Sequence, residues 1–409
     1  MSEKSILKEK NFLLFWVGSF LSGLGDSMFL ITASWMVVKI TRSGTILGIL
    51  MGTMSLSQML FSLIGGALVD RTDPKVFMLA SGAIRMVAML FLVIVSFGTI
   101  PPLWALFVVA TVFGTADAIF WPAAMAFKQS QVRPNQYVQA NGILMMAWQT
   151  TQIIGPALAG ILAASGHFDD ILVINAAIYG TASACLALIK ARRNETPMHK
   201  KSSTLGRDIV DAFRYVRRTP LLLVTSLSAF VVNACLAAVM VAIPLVAHEL
   251  RMGSQGFGFM TAALGTGGAL GAIAFSIIRI RRPTPRMTLI STGIEGLLFI
   301  MLGLVHHLTL LVVLLCLVGI VEVAVNTIAP SVNQRIIPPS MFGQVISLII
   351  VLMSASEPVA KATSGWIMAR IGVAHVLWWA GTLELLVSIT TLFIPVVQSY
   401  SRGEIQGSG

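Results

Sequence analysis

The sequence predicts an all-α membrane protein with twelve transmembrane helices in two pseudo-symmetric six-helix bundles, and three observations support this fold class. Hydrophobic residues make up 56% of the 409 residues and charged residues only 11%, whereas a soluble protein carries about 25% charged residues. The mean hydropathy is +0.86, which excludes intrinsic disorder because disorder needs low hydrophobicity and high charge. Apolar segments near the ~20 residues that a membrane helix needs recur along the whole chain.

These apolar segments, bounded by charged residues, Pro or Gly, set the limits of the twelve predicted helices. The first segment is too long for a signal-peptide core and lacks a small-residue cleavage site, so we predict that it is a membrane helix. The predicted helices are Phe12–Val38, Thr45–Val69, Val76–Phe97, Leu103–Lys128, Val138–Ser165, Ile171–Ile189, Leu221–Ala247, Gln255–Ile278, Met287–Val305, Leu308–Arg335, Met341–Arg370 and Val373–Val397.

The distribution of basic residues predicts the orientation in the membrane. With both termini in the cytoplasm, 22 of the 28 Lys and Arg residues fall in cytoplasmic segments and four in external loops, while Arg85 and Lys361 lie within helices. Cytoplasmic loops carry such an excess of basic residues in membrane proteins. The net charge of +11 therefore indicates topology, and we expect no nucleic-acid partner, because that needs a basic face on a soluble fold.

Cysteine usage gives no sign of a disulfide framework or a metal site. Cys185, Cys235 and Cys316 all fall in apolar segments, and an odd number of buried thiols argues against paired disulfides. No Cys and His spacing resembles a zinc site. We expect small core residues and no bound metal.

One long polar segment divides the chain into three parts. We predict an N-terminal six-helix bundle over residues 1–190, a cytoplasmic linker over 191–219 and a C-terminal six-helix bundle over 220–409. The linker contains the string LGRDIVDAFRYVRR, whose apolar residues recur at helical spacing. This spacing predicts an amphipathic helix on the inner membrane surface.

The two halves also show a weak internal repeat. Asp117 in the fourth predicted helix corresponds to Glu322 in the tenth at a shift of 205 residues, and Asp26 in the first corresponds to Asn233 in the seventh at a shift of 207. Duplicated six-helix halves with a ligand site between them are typical of transporters.

The most specific motif is GALVDRTDPK, between the second and third predicted helices. It resembles the loop motif of the major facilitator superfamily at Gly66, Asp70, Arg71 and Lys75. The resemblance implies a conformational latch in which Asp70 caps the N-terminus of the eleventh helix at the inner face, since carboxylates are favourable there. The alternative is a solvated polar loop.

A second motif, GILMMAWQTTQIIGPALAG, lies on the fifth predicted helix. It resembles the antiporter motif of the same superfamily at Gly142, Gly155, Pro156 and Gly160. Small residues allow close helix packing, and Pro156 is expected to kink the helix. The resemblance implies an exporter rather than an importer, and generic small-residue packing is the alternative.

Further strings make the resemblance more specific: NFLLFWVGSFLSGLGDSM, VINAAIYGTASACLAL, MFGQVISLI and RIGVAHVLWWAG. They are similar to the bacterial macrolide-efflux group, which also contains siderophore exporters. The resemblance covers nearly the whole chain and implies the twelve-helix major facilitator fold.

Charged residues within the membrane are the next candidates for function, because each costs a few kcal/mol at the bilayer centre unless it is paired or faces water. Asp26, Asp117, Glu322 and Glu357 lie in the middle of helices 1, 4, 10 and 11. The resemblance implies that helices 1, 4, 7 and 10 line a central cavity. We expect Asp26, Asp117 or Glu322 to carry a proton, and the alternative for each is a permanently satisfied structural carboxylate.

Arg85 needs a buried partner. It lies ~14 Å from the inner end of its helix and Asp117 lies ~17 Å from the inner end of the next, at 1.5 Å per residue. Similar depth predicts an Arg85–Asp117 pair, and a pair with Asp26 is the alternative.

Three acids lie on helices outside the set that lines the cavity. Glu357 and Lys361 are four residues apart, in the favourable order for an ion pair on one helix, with a structural or a functional role. Glu295 and Glu384 lie on helices 9 and 12, which the resemblance implies are peripheral, so we expect inward hydrogen bonds from both.

Aromatic and sulfur-containing side chains indicate the kind of substrate. The 21 Met residues suit varied apolar ligands because Met side chains adapt their shape. We expect several aromatic residues to form walls of the substrate cavity, although such residues are more often core or lipid-facing: Trp35, Trp121, Trp148, Phe29 and Phe120.

We predict a secondary active transporter of a bacterial inner membrane, with both termini cytoplasmic, that exports an amphipathic drug, macrolide or siderophore in exchange for protons. No Walker sequence is present, so the proton gradient replaces a cofactor. The expected partners are the small amphipathic substrate, protons and membrane lipids, and we expect a monomer. A lipid or lysolipid translocase of the same fold is the alternative. An enzyme is disfavoured, because His306–His307 stands apart from any catalytic cluster.

Overall fold

The computed structural model describes residues 9–69, 72–96, 100–132, 136–189, 205–278, 280, 282–338 and 341–402. The first half of the chain forms six helices, which are α1 (Lys10–Thr41), α2 (Gly44–Val69), α3 (Pro74–Ser96), α4 (Leu103–Gln131), α5 (Tyr137–Ala164) and α6 (Phe168–Ala187). The second half contains α7 (Leu205–Arg218), α8 (Pro220–Glu249), α9 (Gly253–Ile277), α10 (Pro285–Leu304), α11 (Leu308–Ile336), α12 (Phe342–Ser354), α13 (Ser356–Ile371), α14 (Val373–Leu392) and α15 (Pro395–Arg402).

The described helices account for the twelve predicted membrane crossings. Eleven spans are long and apolar enough to cross a membrane, counting α12 and α13 together as one. The twelfth is α5, whose 28 residues include no charged side chain. Its amide side chains lower its hydropathy, and they are Gln139, Asn141, Gln149 and Gln152. Helices α7 and α15, of 14 and 8 residues, are too short to span the ~30 Å hydrocarbon core.

The eleventh predicted helix is broken, which corrects the prediction of one continuous helix over Met341–Arg370. Helix α12 ends at Ser354 and α13 begins at Ser356. Pro358 explains the position of the break, because a proline lacks an N–H group and its ring clashes with the carbonyl group four residues earlier. That carbonyl belongs to Ser354, the last residue of α12.

The chain divides into two compact units. The N-terminal unit comprises Met1–Thr196 with Ile243–Gly265, and the C-terminal unit comprises Pro197–Ala242 with Thr266–Gly409. The boundary therefore passes through α8 and α9 as well as between residues 196 and 197. The predicted bundle limits at residues 190 and 220 stay a prediction.

In the N-terminal unit, α1 packs against α5 and α6, and α4 packs against α2 and α3. Helix α3 also packs against α6. The apolar core at one end of this unit is built from aromatic and aliphatic side chains of α1, α3 and α4, among them Phe12, Phe15, Met78 and Phe127. This packing brings polar residues from α1, α3, α4 and α6 to one place.

In the C-terminal unit, α10 packs against α11, α14 and α15. The amphipathic helix predicted in the linker is present as α7, and it packs against α12. Ala212 and Val216 of α7 share an apolar cluster with Val345 and Ile349 of α12. The hydroxyl of Tyr215 donates a hydrogen bond of 3.0 Å to the carbonyl oxygen of Ile336, so α7 is also joined to the end of α11.

Candidate functional site

A buried charge cluster lies inside the N-terminal unit, where four helices each contribute one side chain. Arg85 of α3 is completely buried, and it forms ion pairs with Asp26 of α1 and Asp117 of α4. Tyr179 of α6, also completely buried, completes the cluster. The structure therefore joins Arg85 to both of the partners that depth along the helices suggested as alternatives.

The cluster has one tight pair and one looser pair. Nη2 of Arg85 donates a hydrogen bond to Oδ1 of Asp117. Nη1 of Arg85 lies 3.4 Å from Oδ1 of Asp26, and the same Asp26 oxygen accepts a hydrogen bond of 2.6 Å from the hydroxyl of Tyr179. Asp26 is thus held by a hydrogen bond from α6 and an ion pair with α3.

Small residues on α1 allow Tyr179 to reach Asp26. A Cβ atom at Gly25 would lie 2.6 Å from Cζ of Tyr179 and 2.9 Å from Oδ1 of Asn175, so only glycine fits at this crossing. The amide of Asn175 donates a hydrogen bond of 3.2 Å to the carbonyl oxygen of Gly25. Helices α1 and α6 are therefore held close together beside the cluster.

Aromatic rings surround the guanidinium group. Cζ of Arg85 lies 5.2 Å from the ring centre of Phe120, 5.7 Å from that of Tyr179 and 6.0 Å from that of Phe113, within the range of cation–π attraction. Phe29 stacks on Phe113 with ring centres 3.8 Å apart. Phe29 and Phe120 are both buried, and their role as walls of the substrate cavity stays a prediction.

The chemistry of the cluster follows from its charges. Two carboxylates face one guanidinium, so the cluster carries a net charge of −1 when both acids are ionised. Uptake of one proton makes the cluster neutral. This favours proton binding, because an unbalanced charge in a buried site is costly. The side chains of Asp26 and Asp117 retain 17% and 11% exposure, so both acids are partly open to their surroundings. The arrangement can bind and release one proton.

The three predicted tryptophans lie elsewhere in the N-terminal unit. Trp35 stacks against Phe257 with ring centres 6.4 Å apart and lines a cavity of about 420 Å³ beside Lys39. Trp121 and Trp148 pack edge to face with ring centres 4.9 Å apart, and Trp121 is 37% exposed. Their role as substrate walls stays a prediction.

A second polar site lies in the C-terminal unit, in a cavity of about 390 Å³ between α8, α10, α11 and α12. The predicted residue Glu322 lines it, together with Glu295 and Asn233. Hydroxyl, amide and aliphatic side chains form the remaining walls, including Thr288, Asn326, Asn333, Ile346 and Met353. The volume falls within the range of small-molecule sites.

Glu295 and Glu384 correct an expectation from the sequence. Both were expected to form inward hydrogen bonds. Glu295 is 2% exposed and Glu384 is 0% exposed, yet Oε1 of Glu295 and both carboxyl oxygens of Glu384 have no hydrogen-bond partner among the described residues. The sequence-based assignment of these two acids to peripheral structural positions missed the cavity that Glu295 lines.

The Glu357–Lys361 pair forms on α13, where Nζ of Lys361 donates a hydrogen bond of 2.9 Å to Oε2 of Glu357. The Glu357 side chain is 36% exposed and the Lys361 side chain is 15% exposed. The contact follows from their spacing on one helix, and a functional role for the pair stays a prediction.

The predicted latch is only partly visible. Asp70 and Arg71 lie outside the described residues, and the structure describes the helical backbone at Gly66. Lys75 donates hydrogen bonds of 2.9 and 2.6 Å to the carbonyl oxygens of Ala187 and Ile189. It thus binds the C-terminal end of α6, where a cation is favourable, and the latch itself stays a prediction.

The antiporter-like motif on α5 contains two close helix crossings. A Cβ atom at Gly155 would lie 2.5 Å from Cβ of Ser27 on α1, and one at Gly160 would lie 2.9 Å from Cα of Gly258 on α9. Pro156 lies between them within the helix. Gly142 differs from the predicted packing role, because an added Cβ atom there would meet nothing within 4 Å.

Sequence analysis did not identify Tyr179 as a member of the charge cluster. One signal could have found it, because Tyr179 is the only one of the four Tyr residues that lies within a predicted transmembrane helix. A hydroxyl group in the membrane needs a hydrogen-bond partner. Asp26, at a similar depth, was an available acceptor.

The chain resembles known proteins over most of its length. It is 22% identical over 388 residues to macrolide efflux protein A of Streptococcus pyogenes, covering 92% of this chain and 94% of the relative. It is 26% identical over 289 residues to the enterobactin exporter EntS of Shigella flexneri, covering 70% and 67%.

Solved structures share the fold at low sequence identity. The nucleoside transporter NupG superposes with a TM-score of 0.75 at 12% identity, covering 95% of this chain and 98% of that chain. A D-xylose-proton symporter superposes with a TM-score of 0.71 at 12% identity, covering 94% and 98%. These likenesses establish the major facilitator fold.

The family model described as transmembrane secretion effector matches residues 1–405. That match spans both units and every described helix from α1 to α15. The chain therefore belongs to the transmembrane secretion effector family of the major facilitator superfamily.

Proposed function

We propose that this protein exports amphipathic small molecules, of the drug, macrolide or siderophore kind, in exchange for protons. Family membership makes the chain a membrane transporter rather than an enzyme. Relatives named as a macrolide efflux protein, an enterobactin exporter and a multidrug efflux pump support export as the direction and amphipathic compounds as the substrates.

The observation that carries proton coupling is the surplus carboxylate around Arg85. Asp26 and Asp117 both contact a single guanidinium group, and the surrounding aromatic side chains leave few polar alternatives for a second negative charge. A proton on either acid removes the surplus charge. This supports the cluster as the site where a proton binds during the transport cycle.

A proton on Asp26 has a defined mechanical effect. In the ionised state, Asp26 ties α1 to α3 through Arg85 and to α6 through Tyr179. A neutral Asp26 attracts Arg85 less strongly, so the guanidinium retains its pair with Asp117 while α1 is released. Alternating access in this fold occurs by movement of helix bundles around a central site, and loosening α1 gives the proton a way to act on that movement.

The proposed location is a bacterial inner membrane with both termini in the cytoplasm. The excess of Lys and Arg in one set of loops supports this orientation. The proposed partners are the substrate, protons and lipids, with a single chain as the working unit. No cofactor is required, because the proton gradient supplies the free energy.

The test uses the purified full-length protein in liposomes with an imposed pH gradient and three probes: a macrolide, a fluorescent cation and a lysolipid. We expect gradient-driven movement of the macrolide or the fluorescent cation, which stops when a protonophore collapses the gradient. Unchanged transport after collapse would show that proton coupling is wrong. Movement of the lysolipid alone would support a lipid translocase instead.

Variants assign the coupling residues in the same assay. We expect Asp26→Asn and Asp117→Asn to lose gradient-driven transport, and Glu322→Gln to reduce it. Glu249→Gln is the matched control, because Glu249 is an exposed acid at the end of α8. If all three membrane acids can be replaced without loss of transport, the assignment of the coupling acids is wrong even though the fold stands.

A further inference from the structure

The C-terminal unit contains a counterpart of the Arg85 cluster. Asp117 is the fifteenth residue of α4, and Glu322 is the fifteenth residue of α11. Tyr179 is the twelfth residue of α6, and Glu384 is the twelfth residue of α14. Each pair occupies the same position in the corresponding helix of the two halves.

The arginine position completes the correspondence. Arg85 is the twelfth residue of α3, and Glu295 is the eleventh residue of α10. The C-terminal unit therefore has an acid within one residue of the position that corresponds to Arg85. The C-terminal unit thus has acids at three equivalent positions and no arginine there. Its cluster has a different charge balance from that of the N-terminal unit.

Helices α10 and α14 hold two of these acids together. A Cβ atom at Gly296 would lie 2.8 Å from the carbonyl oxygen of Gly381 and 3.3 Å from Cβ of Glu384, so the helices touch beside the acids. One turn away, Thr292 and Ser388 are linked by a hydrogen bond of 2.8 Å. These contacts hold the backbones of α10 and α14 close together beside the two acids.

The described surroundings of these acids are short of positive charge. The described residues that line the adjacent cavity include no Lys, Arg or His. The titratable groups that face the pair are Glu322 of α11 and Cys235 of α8, and neither brings a positive charge. Among the described residues, no group of three or more His, Cys, Asp or Glu is placed to hold a metal ion.

We propose that Glu295 and Glu384 form a second proton-binding site, in the C-terminal unit, with Glu295 exchanging its proton through the cavity. The carboxyl oxygens without partners are the observation that carries this site, because a buried ionised carboxylate without a partner is very costly. Glu295 lines the cavity beside Glu322, which gives the proton a path. Glu384, fully buried behind it, holds its proton permanently.

The coupling part of this inference rests on the proposed function. In an exporter driven by protons, a second exchangeable proton on Glu295 would add one proton to each transport cycle. The proton-binding part stands by itself, since it concerns only the charge state of two buried acids.

Infrared spectroscopy of the full-length protein in detergent tests the proton-binding part directly. A protonated carboxyl group has a carbonyl stretch distinct from that of a carboxylate. We expect this band at neutral pH, a smaller band in Glu295→Gln and in Glu384→Gln, and no decrease in the exposed-acid control Glu249→Gln. If both single variants have the same band as the wild type across the pH range, the second proton site does not exist.

Thermal unfolding gives a second measurement that needs no assignment of bands. A group that binds a proton only in the folded state makes stability fall as the pH rises. We therefore expect the difference in Tm, taken as Glu384→Gln minus wild type, to increase as the pH rises. A Tm difference that is constant with pH, or that shrinks, would contradict the proposal.

Proton counting separates this inference from the proposed function. In liposomes, we expect fewer protons moved per molecule of the transported macrolide or fluorescent cation in Glu295→Gln than in the wild type. An unchanged ratio, with coupling still lost in Asp26→Asn, overturns the coupling role of Glu295 and leaves the proposed function standing. If the wild type moves no protons, both the proposed function and the coupling role of Glu295 are wrong. The infrared measurement still tests whether Glu295 and Glu384 bind protons.

Discussion

The hydroxyl of Tyr179 donates its hydrogen bond to the same oxygen of Asp26 that faces Arg85, at 2.6 Å for the hydroxyl and 3.4 Å for Nη1. One carboxylate oxygen therefore receives a neutral donor from α6 and a cation from α3. The ionised form of Asp26 depends on both. This shared acceptor makes Tyr179 a positioning residue for the proposed proton site.

Replacing Tyr179 by Phe removes the hydroxyl and keeps the ring. We expect a loss of about 1.5–3 kcal/mol in the free energy of unfolding, the usual value for a hydrogen bond to a charged group. We also expect the pH profile of transport to move to higher pH, because the hydroxyl stabilises the ionised carboxylate. Thermal unfolding and transport measured over a pH series check both effects.

Tyr215→Phe is the matched control for this prediction. The Tyr215 hydroxyl donates to the backbone carbonyl of Ile336, away from any acid. Its loss should reduce stability by about 0.5–1.5 kcal/mol and leave the pH profile unchanged. Equal shifts in the pH profile for the two variants would show that Tyr179 acts only through packing.

Replacing Arg85 alone should destabilise the protein far more than replacing Arg85 and Asp117 together. Arg85→Ala leaves two buried carboxylates without their cation, which costs about 3–5 kcal/mol for a broken buried pair. Adding Asp117→Asn removes one of those charges, and Tyr179 still donates to Asp26. We expect Arg85→Ala to lose transport and stability, and the double variant to recover folding, measured by thermal unfolding. Additive losses in the double variant would contradict the pairing.

The crossing of α5 and α9 predicts a contrast between two glycines on one helix. A Cβ atom at Gly160 would lie 2.6 Å from the carbonyl oxygen of Ser254, so Gly160→Ala forces the helices apart and should cost about 1–3 kcal/mol. Gly142→Ala meets no neighbour and should stabilise the helix by about 0.5–1 kcal/mol. Thermal unfolding of the two variants measures the contrast, and equal effects would exclude a close crossing.

The proposed orientation can be tested by labelling single cysteines in a variant without the three native ones. His307→Cys, in the exposed loop before α11, should react with a membrane-impermeant maleimide in intact cells. Arg282→Cys, in the loop between α9 and α10, should react only after permeabilisation. The opposite pattern would invert the topology, and both sites reacting from outside would contradict the assigned crossings.

The fold was predictable because the bilayer imposes a strong constraint on composition. Segments long and apolar enough to cross it can be identified without tertiary information, and the tenth predicted helix, Leu308–Arg335, differs from α11 by a single residue. The break at Ala355 was also encoded, in Pro358, but the apolar residues on either side led to the prediction of one continuous helix.

The candidate sites were predictable only where charge was present. The depth of Arg85 and Asp117 along their helices was sufficient to predict their contact, because a buried cation needs a partner. Tyr179 and the surroundings of Glu384 depend on which face each helix turns toward its neighbours. An amphipathic pattern usually reveals that face, but membrane helices are apolar on both the lipid side and the protein side.

The division between α12 and α13 separates two mechanical connections. Helix α12 packs against α7, whereas α13 packs against α14, and the backbone ladder between them is interrupted next to Pro358. A displacement of α7 would therefore act first on α12 and could be absorbed at Ala355, while α13, with Glu357 and Lys361, keeps its packing against α14.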